Sequence, residues 1–493
     1  MKKLCILVLS CTTLAGFAQK KGKPDAFAKT ITPAGLQKHL YIIASKEMEG
    51  RETATEGQRK AAAYIEGQFK QIGLQPGVNG GYQQYYNVYQ DSLTGASLEI
   101  NGTSFSLDKD FGVSIGTNIS GTLRFSEITF VSADTNAIKA ADLSGKLVMM
   151  IGNNTNVPRA VAQATNNLMR SKGIAGMLTV STLYPRSTPA SRKGNQNLNA
   201  FKRTLDPQQY QVSEAVAKAI LGSDYDVAKA GTLGSKTYTA DILLETRKTT
   251  TTLQSSNVIG VLPGTDLKDE YLFITGHYDH LGKRDTVIYY GADDDGSGTT
   301  GVIAIAEAFA KAKAAGNGPR RTVVFMTVSG EEKGLWGSES YSNHPLFPLE
   351  KTTADLNIDM IGRTDATRKD TSNYIYVVGD DKLSSDLKPI SEAQNKAHTK
   401  LELDYKYNDP ADPNRIYFRS DHYNFARKGV PIIFYYDGML GADYHKPTDT
   451  PDKINYPLMA KRAQLVFFTA WEMANRNEML KRDIALPNQR RTF

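Results

Sequence analysis

The sequence predicts an α/β protein whose C-terminal half is layered around a largely parallel sheet, preceded by a stretch richer in strands. Three observations lead there. Beyond about residue 237, apolar runs of strand length alternate with helical patterns, and parallel strands need such crossovers because no tight hairpin can join them. Residues 95–150 read differently, as short β-branched runs set between Gly, Asn and Asp. The length, 493 residues with 40% apolar and 23% charged side chains, suits two or three domains of about 100–200 residues each. That balance excludes a disordered chain, a collagen and a disulfide miniprotein.

At the N-terminus, Lys2 and Lys3 precede an apolar run from 4 to 18 that closes on Gly16-Phe17-Ala18 before polar Gln19. A charged start, an apolar stretch and small residues ahead of a polar segment predict a signal peptide over 1–18, and hence export to the periplasm or the medium. A lipoprotein anchor at Cys11 fits less well, because the residues after it stay apolar. Both cysteines, Cys5 and Cys11, fall in this segment, so no disulfide and no thiolate-bound metal is expected in the exported chain. Mean hydropathy is −0.40, and no other apolar run approaches the ~20 residues of a membrane span. The net charge of +7 is spread along the chain, without the basic stripe that nucleic-acid binding requires.

Residues 33–74 read as helical. Thr55 opens a segment in which Ala61, Ala62, Ile65, Phe69 and Ile72 recur at helical spacing, and Gly73 and Pro76 close it. Strands are expected at 96–100, 121–125, 128–131 and 146–151, a helix at 157–171 and a further apolar run at 177–180. Residues 182–210, rich in Ser, Asn, Arg and Pro, read as an exposed excursion. In the C-terminal half, 257–262, 271–275, 321–328, 354–360, 374–378 and 430–435 read as strands, and Ala-rich 299–315 as a helix.

Histidines and carboxylates gather where these strands end. The run 271–275 leads into Gly276-His277-Tyr278-Asp279-His280, and 321–328 leads into Ser329-Gly330-Glu331-Glu332. Asp293-Asp294-Asp295-Gly296-Ser297-Gly298 stands before the Ala-rich helix, Asp359 lies in 354–360, and Tyr444-His445-Lys446-Pro447 follows the last strand. Ligand groups of open α/β sheets lie beyond the carboxyl ends of strands, so these segments can converge. Imidazoles with carboxylates suit zinc, and three adjacent aspartates crowd anions that a dication compensates. Paired metal ions about 3.5–4 Å apart can clamp water and a carbonyl together, and a favourable zinc site lowers a water pKa to about 7. An alternative nucleophilic triad at Ser420-Asp421-His422 is disfavoured, because adjacent residues cannot easily converge on one reacting atom.

Together these segments resemble metallopeptidase family 28, the co-catalytic dizinc exopeptidases that include secreted bacterial aminopeptidases. The resemblance rests on Gly-His-Tyr-Asp-His-Leu-Gly, Gly-Ala-Asp-Asp-Asp-Gly-Ser-Gly, Ser-Gly-Glu-Glu-Lys-Gly, Asn-Ile-Asp-Met-Ile-Gly-Arg and Asp-Tyr-His-Lys-Pro-Thr-Asp-Thr, in the family's order. It extends to Glu49-Gly50-Arg51 and, more loosely, to Asp142-Leu143-Ser144-Gly145 and Gly173-Ile174-Ala175-Gly176. It implies a three-layer α/β/α peptidase domain with a mixed, largely parallel sheet, made of 25–111 and 237–480. A β-rich protease-associated insert would occupy 112–236 and a polar tail 481–493.

Carried over residue by residue, the resemblance implies two zinc ions. His277 and Asp359 would ligate one, Glu332 and His445 the other, and Asp294 would bridge them, with a cis peptide between Asp294 and Asp295. Glu331 would be the general base and Asp279 would orient His277, while His280 and His422 read as supporting or structural residues. The implied activity is release of N-terminal residues from peptide substrates, the ammonium group docking against Glu331 and Asp359. Three other readings compete. A carboxypeptidase would need a cationic pocket, for which Arg415 and Arg419 are candidates. A one-zinc glutaminyl-cyclase-like enzyme is disfavoured by the presence of both His277 and Asp359, and a non-catalytic ectodomain by the full ligand set.

Overall fold

The structure, a computed structural model, describes residues 24–486 except 133, 153–158, 202–204 and 371. The expected signal segment with both cysteines, and the end of the expected polar tail, lie outside the described residues. The chain forms two compact units, one made of the described residues up to Tyr86 and from Ser255 onward, the other of Asn87–Gln254. The second encloses the 112–236 stretch and adds the strands that flank it.

The first unit is a mixed sheet between helices. Its strands are β1 (Gln75–Pro76), the end of β2 (Lys236–Leu262), β3 (Leu267–His277), β4 (Arg321–Val328), β5 (Thr352–Ile358), β6 (Tyr374–Val378), β7 (Glu402–Asp404) and β8 (Ile432–Tyr436). Across the sheet the order is β7-β6-β8-β5-β3-β4-β2-β1. The central neighbours β4, β3, β5 and β8 are parallel, while β2 joins β4, and β6 joins β8, antiparallel. Alternation along the strands sorts side chains to two faces. Leu272 and Ile274 of β3, with Val323 and Phe325 of β4, pack on the face that also holds Leu36, Phe69, Phe309 and Phe467. Phe273, Val324 and Met326 point the other way, toward Tyr341 and Phe425. Helices α1 (Pro33–Ile43), α2 (Glu56–Ile72), α3 (Gly298–Ala314) and α5 (Tyr456–Asn475) supply the first layer, and α4 (Trp336–Asn343) belongs to the second. This is the layered α/β sheet that the alternating pattern predicts, with the three layers that the resemblance implies.

Local chemistry sets the helix ends. The Thr55 hydroxyl accepts from the Gln58 N–H, satisfying one of the first donors of α2, and Gly73 closes it at φ 86°, which only glycine adopts freely. The register matters most for function. Ile274 pairs with Phe325 and His277 with Val328, while Thr275 pairs with Asn357, so the carboxyl ends of β3, β4 and β5 lie side by side.

The second unit carries strands Phe111–Val113, Gly121–Phe130, Leu147–Ile151, Gly176–Val180 and Gln208–Val212, with the first part of β2 along the edge. Helices Arg159–Ser171 and Glu214–Leu221 accompany them. Two details differ from expectation. Runs 121–125 and 128–131 form one strand, and the polar excursion contains Lys193–Asn197, paired antiparallel with Gln83–Ile100. That strand is Lys-Gly-Asn-Gln-Asn with no buried residue, so no apolar alternation announces it. Among the described residues no helix is long and apolar enough to cross a membrane.

Candidate metal centre

The five segments that carry candidate ligands arrive at one end of the first sheet. His277 is the last residue of β3, Glu331 and Glu332 follow β4, Asp359 follows β5, and His445 lies beyond β8. Asp294 comes from the turn ahead of α3, where its peptide bond to Asp295 is cis.

The Asp294 carboxylate faces two imidazoles, one oxygen to each. Oδ1 lies 3.2 Å from His277 Nε2 and Oδ2 lies 3.1 Å from His445 Nε2. His277 Nε2 is also 3.6 Å from Asp359 Oδ1, and His445 Nε2 is 3.1 Å from Glu332 Oε2. Ligands held about 2.0–2.2 Å from a tetrahedral zinc stand about 3.3–3.6 Å from one another. The observed separations are therefore close to the edges of two ligand sets that share Asp294. Buried His277 Nε2, Asp294 Oδ2 and Glu332 Oε1 have no hydrogen-bond partner, and orphaned atoms of this kind call for a cation. The donor set fits zinc on both counts.

Electrostatics point the same way. Burial opposes charge on His277, yet Asp359, Glu331, Asp279 and Asp294 hold its pKa well above the usual 6.5. Burial likewise disfavours charge on His445, but Asp294 and Glu332 lift it to about 10. Without metal, the carboxylates recruit imidazolium ions as counter-charges. A group whose folded pKa is raised adds stability below its unfolded value, lost as pH rises through the folded one. In chelator-treated protein, the stability advantage over His445→Gln is thus expected to be full below pH 6.5 and to vanish by about pH 10. Thermal melts across that range check it, and a pH-independent difference would contradict it.

Glu331 stands apart from the ligand pairs, its Oε2 3.9 Å from His277 Nε2. Burial raises its carboxyl well above the usual range, and Glu332 and Asp359 reinforce this against the pull of His277. Asp279 is fully buried, with Oδ2 accepting from the Thr53 hydroxyl at 2.7 Å and Oδ1 from the Glu331 N–H at 3.2 Å. Its backbone carbonyl lies 3.1 Å from His277 Nδ1, against 3.6 Å for its carboxylate. Asp279 thus touches both the His277 ring and the Glu331 backbone.

The other two aspartates of the triplet accept backbone N–H groups. Asp295 accepts from the backbone N–H groups of His277, Gly298 and Met360 at 3.0, 2.7 and 3.0 Å, tying β3, α3 and the end of β5 together. Asp293 accepts from Gly362 N–H at 2.8 Å. Asp449 in turn accepts from the N–H groups of Asp293 and Asp294.

Several residues escape motif reading. Arg51 is fully buried, and its guanidinium donates to the carbonyls of Ile43, Tyr278, Tyr290 and Gly291 at 2.7–2.9 Å. It clamps the segments bearing His277 and Asp294, a role that its place in Glu49-Gly50-Arg51 did not specify. His280 proves to face Glu332, with Nδ1 2.7 Å from Oε1. The small cavity at the centre is lined by Asp294, Glu331 and Asp359 and walled by Met360, Ile416, Phe434, Tyr436 and Leu440. Arg419 and Tyr444 line it too, Arg419 Nη2 donating to Tyr444 Oη at 3.0 Å. Arg415 instead lies over the Phe418 ring. Ser420, Asp421 and His422 do not converge, since Ser420 accepts from Asn357, Asp421 bonds Ser338 and His422 Nε2 meets the Tyr417 carbonyl.

Comparison with known proteins finds relatives in sequence and in fold. A probable leucine aminopeptidase of Arthroderma otae is 31% identical over 227 residues, 45% of this chain and 58% of the relative. The chain thus spans a little over half the length of that curated relative. In fold it resembles an aminopeptidase of Aneurinibacillus sp., with TM-score 0.56 and 18% identity, covering 95% of this chain and 100% of that one. A zinc aminopeptidase of Bacillus subtilis follows, at TM-score 0.53 and 17% identity over 92% of this chain and 98% of that one. Residues 257–470, which carry every ligand pair described above, match the model of peptidase family M28.

Proposed function

We propose that this chain is a zinc aminopeptidase that removes N-terminal residues from peptides at the cavity beside Asp294, with two zinc ions per chain. The observation that carries this is the Asp294 carboxylate turned to two separate imidazoles, with Glu331 close by and outside both ligand pairs. The family match and the names of the relatives support it.

His277, Asp294 and Asp359 would hold one ion, and Asp294, Glu332 and His445 the other. Zinc held there would supply Lewis acidity for the scissile carbonyl and would lower the pKa of water toward neutrality. Glu331 takes the proton from the attacking water at its carboxylate and returns it to the leaving amine. Burial raises its basicity for this task. Asp279 fixes Glu331 through the backbone N–H. The apolar wall from Met360 to Leu440 takes the side chain of the released residue.

Purified protein is expected to hold two zinc ions, to lose activity with a chelator and to regain it with zinc. A fully active preparation with one tightly held ion refutes the shared site.

One observation favours a carboxypeptidase instead. Arg419 lines the cavity, and a guanidinium is the natural partner of a substrate carboxylate. A pair of peptides, one capped at each end, separates the two. The aminopeptidase cleaves the C-terminally amidated peptide and leaves the N-acetylated one intact; the reverse result establishes the carboxypeptidase.

A further inference from the structure

The second unit has a cavity of its own, of about 480 Å³, inside the range of roughly 300–1,000 Å³ that small ligands occupy. Its floor is one face of that unit's sheet. Met150 pairs with Thr179, Thr179 with Gln211 and Gln211 with Gly112, so these four form a row across four strands. Met177 and Gln209 pair in the row beside it. Paired residues share a face, and so do residues two apart along a strand. Met150 and Met177 join an apolar cluster with Met169 of helix Arg159–Ser171, whereas Thr179, Gln209 and Gln211 make the rest of the floor polar.

Tyr184 and Arg186 form a wall. A Cβ on Gly112 would lie 1.9 Å from Tyr184 Oη, so glycine is what lets the phenol reach the sheet. The Arg186 guanidinium stands 5.3 Å from the centre of the Tyr184 ring. Asp108 fixes this segment, its carbonyl accepting from the Arg186 N–H at 3.0 Å and its carboxylate from the Ala190 N–H at 3.2 Å. The same carboxylate is paired with Arg192.

The polar groups around the cavity are unspent. Asp108 is engaged by Arg192, and among the described residues no hydrogen bond or ion pair ties down the Arg186 guanidinium. The side chains of Thr179, Gln209 and Gln211 and the Tyr184 hydroxyl make no hydrogen bond among those residues either. Arg186 is the single charged side chain among the described lining residues. One unpaired guanidinium suits one carboxylate. Side-chain amides both donate and accept, as peptide groups require, and methionines adapt to apolar side chains of varied shape.

We propose that this cavity binds the C-terminal end of a peptide. Arg186 takes the terminal carboxylate, Gln209 and Gln211 take the last amide groups, and Met150 and Met177 receive the terminal side chain. The inference stands on the second unit alone and does not need the metal centre.

The test is calorimetric titration of N-acetyl-Ala-Ala-Leu, and of its C-terminal amide, into the full chain carrying Glu331→Ala, with recovery of intact peptide verified. The acid should bind saturably, and the amide about 10–100-fold more weakly, the scale for losing a charge-assisted hydrogen bond. Adding Arg186→Gln should weaken the acid by the same factor, and Gln211→Ala by about 2–10-fold. Arg419→Gln should leave binding unchanged. In the chain with Glu331 restored, Arg186→Gln should hydrolyse an aminoacyl anilide at the wild-type rate. No saturable binding, or binding that Arg186→Gln does not weaken, overturns the proposal. Equal affinity for acid and amide removes carboxylate recognition and overturns it too. A loss confined to Arg419→Gln moves the peptide to the cavity beside Asp294. Acetate that competes as well as the peptide does reduces the cavity to an unselective anion site, which also overturns it.

Discussion

Glu331→Ala is expected to retain both metal ions and lose about 10²–10⁴-fold in turnover, the usual scale for removal of a general base. Glu331 and Glu332 are adjacent, but the structure separates their roles. Glu332 reaches His445 and His280 and is held below its ordinary pKa by both, against burial and Asp294. Glu331 lies 3.9 Å from the nearest imidazole nitrogen and is raised by burial. Glu332→Ala should therefore fail in metal content, and Glu331→Ala in rate alone. Metal analysis beside single-turnover kinetics reads the difference. Exchanged phenotypes would reverse the two roles.

Arg51→Met is expected to lower stability by about 3–5 kcal/mol, the range for disrupting a buried charged cluster. The aliphatic part of the side chain is preserved, so lost volume contributes little. The damage comes from four backbone carbonyls left without donors, each costing about 1–3 kcal/mol when buried and unpaired, with relaxation limiting the sum. Burial holds the Arg51 pKa down to about 10, against Asp279, Asp449, Asp294 and Asp295, whose negative charge supports the cation. Against a total of about 5–15 kcal/mol for a typical domain, the change is large. Denaturant titration of the metal-free protein measures it. A loss below about 1 kcal/mol would mean that water replaces the guanidinium.

Much of the sheet was legible because apolar runs mark buried parallel strands. The runs 321–328 and 374–378 coincide with strands Arg321–Val328 and Tyr374–Val378. Lys193–Asn197 was not legible, since an all-polar strand has no pattern to follow. Among site residues, those in recognisable motifs all reach the centre. Arg51 and His280 lie in segments that carry the resemblance, but what they touch was not legible, because their partners are distant in sequence: the Tyr290 and Gly291 carbonyls for Arg51, and Glu332 for His280.

By itself the sequence determined which side chains could meet a metal. Histidines and carboxylates at strand ends must gather at one edge of a parallel sheet, whatever the loops do. Residue type and spacing could not separate three neighbouring aspartates of identical chemistry, and only the family resemblance singled out Asp294. Tertiary structure does so by supplying backbone donors. Asp295 is consumed by the N–H groups of His277, Gly298 and Met360, and Asp293 by that of Gly362. Asp294 alone of the three meets both His277 and His445. A buried carboxylate goes to whatever donor or cation lies within reach, and those distances exist only once β3, β5 and α3 have packed together.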